Sequence, residues 1–298
     1  MMNMNFQLTC PRLERASLSS FPMDGIDIHW DNLTHLTLHF MSFNNSLLIL
    51  RKTPRLVFFK VSGYHRPYRG QMGAPVRTSL RSLQLLITHC VEDYLNNIIA
   101  PHLEEFSLPN CLNPSMEAIS FFLRRSACSL RSFSVITTTV PHYEDFMSLL
   151  HSMPSLNLLS IISVSDDYDP RDILQLVAKV LFSQSTSLRQ GFLPNLKILE
   201  YTGKLYLRSG NYSDLYSLPP ANNAVHSPLH LLKLDLYPVT RIPENMISYL
   251  YSLAERGVTV AVSSNSKDIL QSSINYYRCR KDSLCRDWAD NLESSLFS

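Results

Sequence analysis

Side chains with chemistry to offer are scattered along this chain. Asp166, Asp167 and Asp169, just ahead of Pro170, have the composition of a calcium loop, because hard divalent cations take carboxylate oxygens. They lack the glycine and the distal glutamate of an EF-hand, and a turn leading into a helix at Arg171 is the reading they favour. Six cysteines (Cys10, Cys90, Cys111, Cys128, Cys279 and Cys285) occur without C-x-x-C pairing, which suggests buried or idle thiols rather than a disulfide framework or a zinc site. Ten histidines are spread out, and no G-x-S-x-G, H-E-x-x-H, phosphate-loop or dinucleotide fingerprint occurs. No cofactor, metal or catalytic residue is expected. A metal-dependent enzyme is the alternative that a stoichiometric bound divalent ion would revive.

One loop has binding chemistry in its composition. Gly63 to Ser79 mixes Tyr64 and Tyr68 with Arg66, Arg69 and Arg77, as a recognition loop or a single-strand nucleic-acid contact would. A flexible solvated loop is the competing reading, since no matching basic surface continues beyond it. Gly203 to Ser227, with Tyr206, Tyr212 and Tyr216, is a second such insertion.

Charge and hydropathy bound the partners. With 27 Lys and Arg against 25 Asp and Glu, the net charge of +2 makes no field that would draw the chain onto nucleic acid or an anionic membrane. No basic-then-apolar leader opens the sequence, and no apolar run approaches the roughly 18 to 20 residues of a membrane span. A soluble protein of the cytoplasm or nucleus is expected. At 298 residues and 45% apolar, it can bury a large core.

The elements that must position these side chains show in the leucines. Ala100 to Leu112 reads A-P-H-L-E-E-F-S-L-P-N-C-L, with Leu103, Phe106 and Leu108 at positions one, four and six of an L-x-x-L-x-L unit and Cys111 at position nine. Eight further units fit, with first positions at Leu13, Leu33, Leu56, Leu80, Leu130, Leu156, Leu196 and Leu229. Along the chain the steps are 20, 23, 24, 23, 27, 26, 40 and 33 residues, most of them within the range of leucine-rich repeats. Pro11, Pro54, Pro101, Pro154 and Pro194 each stand two residues before the first leucine of a unit, and Pro228 one before, where proline ends the preceding segment.

Between the units the period lengthens to about 3.6 and predicts helices over 46–52, 91–100, 115–125, 144–153, 171–183 and 244–256. Strand–helix–strand connections of this length are most simply right-handed parallel crossovers. The expected fold is therefore α/β: a leucine-rich repeat solenoid of about nine to ten repeats, a horseshoe with a parallel concave sheet and convex helices, over residues 1–265. V-T-V-A-V at Val258 to Val262 is expected to end the sheet. Residues 266–298 read as a tail of polar loop and then a capping helix, striped by Leu284, Trp288, Leu292 and Leu296.

Large repeats with irregular insertions, and phrases such as F-F-L-R-R-S-A-C-S-L-R-S-F-S-V (Phe121 to Val135) and L-L-H-S-M-P-S-L-N-L-L-S-I (Leu149 to Ile161), resemble the repeat halves of F-box proteins of mushroom-forming fungi, over roughly Phe6 to Val262. In that family an F-box docks on a Skp-type adaptor of a cullin-RING ubiquitin ligase, and the repeats hold the substrate. The resemblance therefore implies a protein–protein interaction module like the substrate-recognition part of an SCF-type receptor. No L-P-x-E-[IL] opening precedes Leu13, so adaptor and cullin are implied partners only if an F-box is encoded upstream. A free-standing scaffold or inhibitor without a ubiquitin link is the alternative.

In such units positions three, five and seven face the concave surface. Two contact zones are expected there: His35, His39, Phe58 and Lys60, extended by Gln84 and Glu105, and a second of Glu200, Lys233 and Asp235. Solvated strand positions, with Glu200 and Lys233 merely pairing across neighbouring strands, are the competing reading.

Overall fold

Short runs with apolar residues at alternate positions form strands, and the stretches of longer period between them form helices. This is seen in the computed structural model, which describes residues 13–20, 29–63, 74–87, 91–109, 115–137, 143–163, 193–204, 229–237, 242, 244–265 and 267–281. The chain divides into two compact units, Met1–Ile162 and Ser163–Ser298.

The first unit runs β1 (Arg15–Ser19), a 3-10 turn (Trp30–Asn32), β2 (His35–His39), α1 (Phe43–Lys52), β3 (Phe58–Ser62), β4 (Val76–Arg77) and β5 (Ser82–Leu86). It continues with α2 (Val91–Asn97), β6 (Ile98–Ile99), β7 (Glu105–Leu108), α3 (Met116–Ser126), β8 (Ser132–Thr137), α4 (Tyr143–His151) and β9 (Leu158–Ser163). Its main sheet has the order β1-β2-β3-β5-β7-β8-β9, and β4 pairs with β6 apart from it. The second unit runs β10 (Ile198–Lys204), β11 (Leu231–Tyr237), α5 (Glu244–Ala254), β12 (Thr259–Ser264), β13 (Lys267–Asp268) and α6 (Leu270–Lys281), in sheet order β10-β11-β12-β13. Only the β12–β13 pair is antiparallel among the pairings described. Both units are mixed α/β with largely parallel sheets, as the strand–helix alternation predicts.

Register follows the leucine units. Leu36 stands beside Phe59, Phe59 beside Leu83, Leu83 beside Phe106 and Phe106 beside Phe133, so position four forms one buried row across five strands. From Leu33 onward the described residues at positions one, four and six are at most 3% exposed. Burial of each such side chain is worth about 1.5–3 kcal/mol. On edge strand β1, Ala16 and Leu18 are half-buried.

Two local devices recur at the strand entrances. In T-P-R-L, A-P-H-L, M-P-S-L and L-P-N-L the position-one amide donates to the carbonyl before the proline: Leu56 to Thr53, Leu103 to Ala100, Leu156 to Met153 and Leu196 to Leu193, at 3.1–3.2 Å. Proline is thus the second residue of a tight turn, for which its fixed φ is suited, and not only a stop signal. The amides at positions two and three then fork onto the position-two carbonyl of the preceding strand. Val57 and Phe58 donate to Thr34, Arg81 and Ser82 to Val57, Glu104 and Glu105 to Arg81, and Arg131 and Ser132 to Glu104, at 2.8–3.0 Å.

Several boundaries depart from the periodicity, each for a local reason. Helix α1 starts at Phe43 rather than 46 because the Ser42 hydroxyl accepts from the Asn45 amide, whereas Ser115, accepting from Ala118, starts α3 close to expectation. Helix α2 ends at Asn97, short of 100, since β-branched Ile98 and Ile99 turn extended and pair with Val76 and Arg77. α4 and α5 match the predicted stretches to within two residues. The polar loop expected from residue 266 is corrected: Asp268 accepts from the Leu270 and Gln271 amides and starts α6, in which Ser273 and Ile274 are buried, as is Ile269 just before it. The predicted helix over 171–183, Cys111, the Asp166–Asp169 turn and the Leu284–Leu296 stripe lie outside the described residues.

Candidate partner-binding surface

Alternation along each strand turns positions three, five and seven away from the core. In the first unit this brings His35, His39, Phe58 and Lys60 together on adjacent strands, all half-buried. His35 stacks on Phe58 with ring centroids 5.7 Å apart and 26° between planes. The Thr34 hydroxyl donates to the Glu14 carbonyl at 3.0 Å and lies 2.9 Å from His35 Nδ1, which makes Nδ1 the donor of that pair. His39 Nδ1 and Ser62 Oγ are 2.6 Å apart, so this ring too is held by its neighbour strand. Gln84 stands beside Lys60 in register. Glu105 is exposed, two strands beyond Phe58, with Ser82 between them.

In the second unit Glu200 and Lys233 are direct register partners, with Lys233 Nζ 3.9 Å from Glu200 Oε1. At 53% and 34% exposed, the pair is wet, and such pairs contribute under about 1 kcal/mol. Asp235 accepts from the Ser263 hydroxyl at 3.0 Å. Glu200 and Lys233 thus satisfy one another in part, and Asp235 is held by Ser263 on the neighbouring strand.

Among the loop candidates, Tyr64, Arg66, Tyr68 and Arg69 lie outside the described residues, as do Tyr206, Tyr212 and Tyr216. Arg77 is exposed on β4, which pairs with β6 and not with the main sheet. Among the described residues no group of His, Cys, Asp and Glu is placed to hold a metal ion, and no helix is long and apolar enough to cross a membrane.

The leucine pattern overlooked Phe40. After outward His39, alternation would send residue 40 inward, yet Phe40 is 63% exposed and has φ +53°. Ser20, in the same place after β1, has φ +47°, and Gly63, after β3, has φ +107°. Each amide donates to the last strand residue of the neighbour: Ser20 to His39, Phe40 to Ser62 and Gly63 to Leu86. A left-handed residue thus closes each of these three strands, and at Phe40 it turns a bulky ring out. A Cβ on Gly63 would come 2.6 Å from Phe40 Cδ1, so the ring rests against a glycine. Gly63 was the available signal, since a glycine just after a strand marks a close approach or a positive φ.

The outward residues of the first unit offer aromatic stacking, charge and hydroxyl hydrogen bonds, and those of the second an exposed ion pair and a carboxylate; each is equipment of non-covalent recognition. Comparison with protein-family models, with curated proteins and with solved structures finds no match.

Proposed function

We propose that this chain is a protein-binding solenoid of about nine to ten leucine-rich repeats, resembling the substrate-recognition half of a fungal F-box receptor, and that it captures its partner without chemistry of its own. The observation that carries this reading is the recurrence, unit after unit, of the same forked hydrogen bonds and buried positions one, four and six. A row of identical strand entrances leaves positions three, five and seven as a continuous outward row in each unit, free to vary without touching the core. The experiment is affinity capture with the full-length gene product, read by mass spectrometry, alongside a Lys60→Glu, Lys233→Glu variant. A stoichiometric partner lost by the variant is expected, with a Skp-type adaptor and a cullin present if an F-box is encoded upstream. Capture unchanged by both charge reversals would overturn the placement on the sheet. A partner without adaptor or cullin would leave the scaffold reading.

A further inference from the structure

The outward face of β1, β2 and β3 carries cations and aromatic rings and no carboxylate. Of its nine positions, Arg15, His35, His39, Phe58 and Lys60 are the large side chains, and the other four are hydroxyl residues. The first acidic outward residue beyond them in the sheet is Glu105 on β7, on the far side of β5. At the end of β2, Phe40 adds a ring that rests against Gly63 yet stays 63% exposed: a left-handed backbone is costly for a bulky side chain, and serine and glycine hold the same place after β1 and β3. The left-handed backbone belongs to all three strand ends, so the functional signature is the large ring kept where serine or glycine serves on the neighbouring strands. Aromatic anchors beside fixed charges are what interface hot spots are made of.

We infer that this end of the sheet binds an acidic protein segment carrying an aromatic or branched apolar side chain. Its carboxylates meet Arg15 and Lys60, and its apolar side chain packs on the Phe40 ring, at the other end of β2 from the stacked His35–Phe58 pair. Charge complementarity selects this occupant, since nothing on these strands repels a carboxylate and every charged side chain there attracts one. Two cations are too few to track a nucleic-acid backbone, whose affinity comes from neutralising many phosphates, and the chain's net charge of +2 adds no wider field. The inference rests on the partner-binding reading above and goes further by naming the place and the partner's chemistry.

The test selects a random phage-displayed peptide library against the purified chain, with a labelled single-stranded oligonucleotide as a parallel probe. Enriched peptides should set Asp or Glu around an aromatic or branched apolar residue. A labelled synthetic copy should bind by fluorescence anisotropy, more weakly as salt is raised. Lys60→Glu should weaken it about tenfold, whereas Lys267→Glu, elsewhere in the chain, should not. Phe40→Gly is the decisive variant, because glycine accepts the left-handed backbone: binding should fall about tenfold while the melting temperature holds or rises. A Phe40→Gly protein that melts earlier would show the ring to be structural and overturn the inference. Enrichment of basic or neutral peptides, or of acidic ones indifferent to Lys60 and Phe40, would overturn it while leaving the partner-binding reading intact. Failure to enrich any peptide, with or without oligonucleotide binding, would overturn the inference, while the partner-binding reading stands or falls on the affinity capture above.

Discussion

Replacing Arg125 by methionine should loosen the neighbouring helix α2 more than Arg125's own helix α3. A basic residue in the last turn of α3 would be expected to serve that helix's own C-terminal dipole. Instead its guanidinium reaches α2: Nη1 donates to the Asn96 carbonyl at 2.9 Å, and Nη2 donates to the carbonyls of Leu95 and, at 2.7 Å, of Ile98. It thereby caps the C-terminal carbonyls of a seven-residue helix too short to persist alone. Phe121 holds the arm in place, 5.3 Å from the guanidinium carbon. The two part-buried contacts are worth about 1.5 kcal/mol each as charged hydrogen bonds, and the exposed one to Asn96 adds little. The cost of burying Nε without a partner offsets part of this and leaves about 2 kcal/mol. Amide hydrogen exchange over residues 91–99 should therefore accelerate roughly thirtyfold in Arg125→Met. Arg125→Lys should recover about half of the free energy, because an ammonium cannot fork onto three carbonyls. Exchange at wild-type rates in Arg125→Met, with unchanged urea unfolding, would refute the capping role.

Three further outcomes can be checked on stability. Gly63→Ala forces a Cβ onto a φ of +107° and to within 2.6 Å of Phe40 Cδ1, so it should cost about 1–3 kcal/mol by thermal unfolding, part of it relieved in a Phe40→Gly background. Burial pushes the Tyr201 phenol well above its ordinary value of 10. The unfolded chain therefore loses this proton first, so stability should fall as pH rises above 10, and Tyr201→Phe should flatten that alkaline decline in urea titrations at stepped pH. Lys233→Ala should change stability by under about 1 kcal/mol, given its exposure and its 3.9 Å separation from Glu200; a larger loss in calorimetry would assign the pair a structural role.

The leucine units were legible because they depend on properties that a residue carries with it. Alternate apolar positions place Leu36 and Leu38 inside and His35, Thr37 and His39 outside whatever the rest of the chain does, and β3, β7, β9 and β11 follow the same alternation, while β5 buries Ser82 as well as Leu83. The two side-chain clusters follow from the same rule, since knowing which face a strand residue takes and which unit is next is enough to set Lys60 beside Gln84 or Glu200 beside Lys233. Prolines were legible as punctuation, though their use as second residues of hydrogen-bonded turns needed the carbonyls of Thr53, Ala100, Met153 and Leu193 to be seen. Helix α6 was missed for a physical reason: its exposed positions carry Gln, Ser and Asn, and too few apolar residues recur to reveal a period.

By itself, the sequence determined strand spacing, the buried rows and the residues that face outward, because alternation and side-chain volume act within a few residues of chain. Tertiary structure alone decided what depends on a neighbouring strand or helix. The amide of Phe40 finds the Ser62 carbonyl and its ring finds Gly63, 23 positions along, so a left-handed turn becomes tolerable and an aromatic side chain is left in solvent. Arg125 likewise finds the open carbonyls of a helix about 30 residues earlier only because parallel packing brings α2 and α3 together. Such partners are set by which elements become neighbours in space, and no local period in the chain records them.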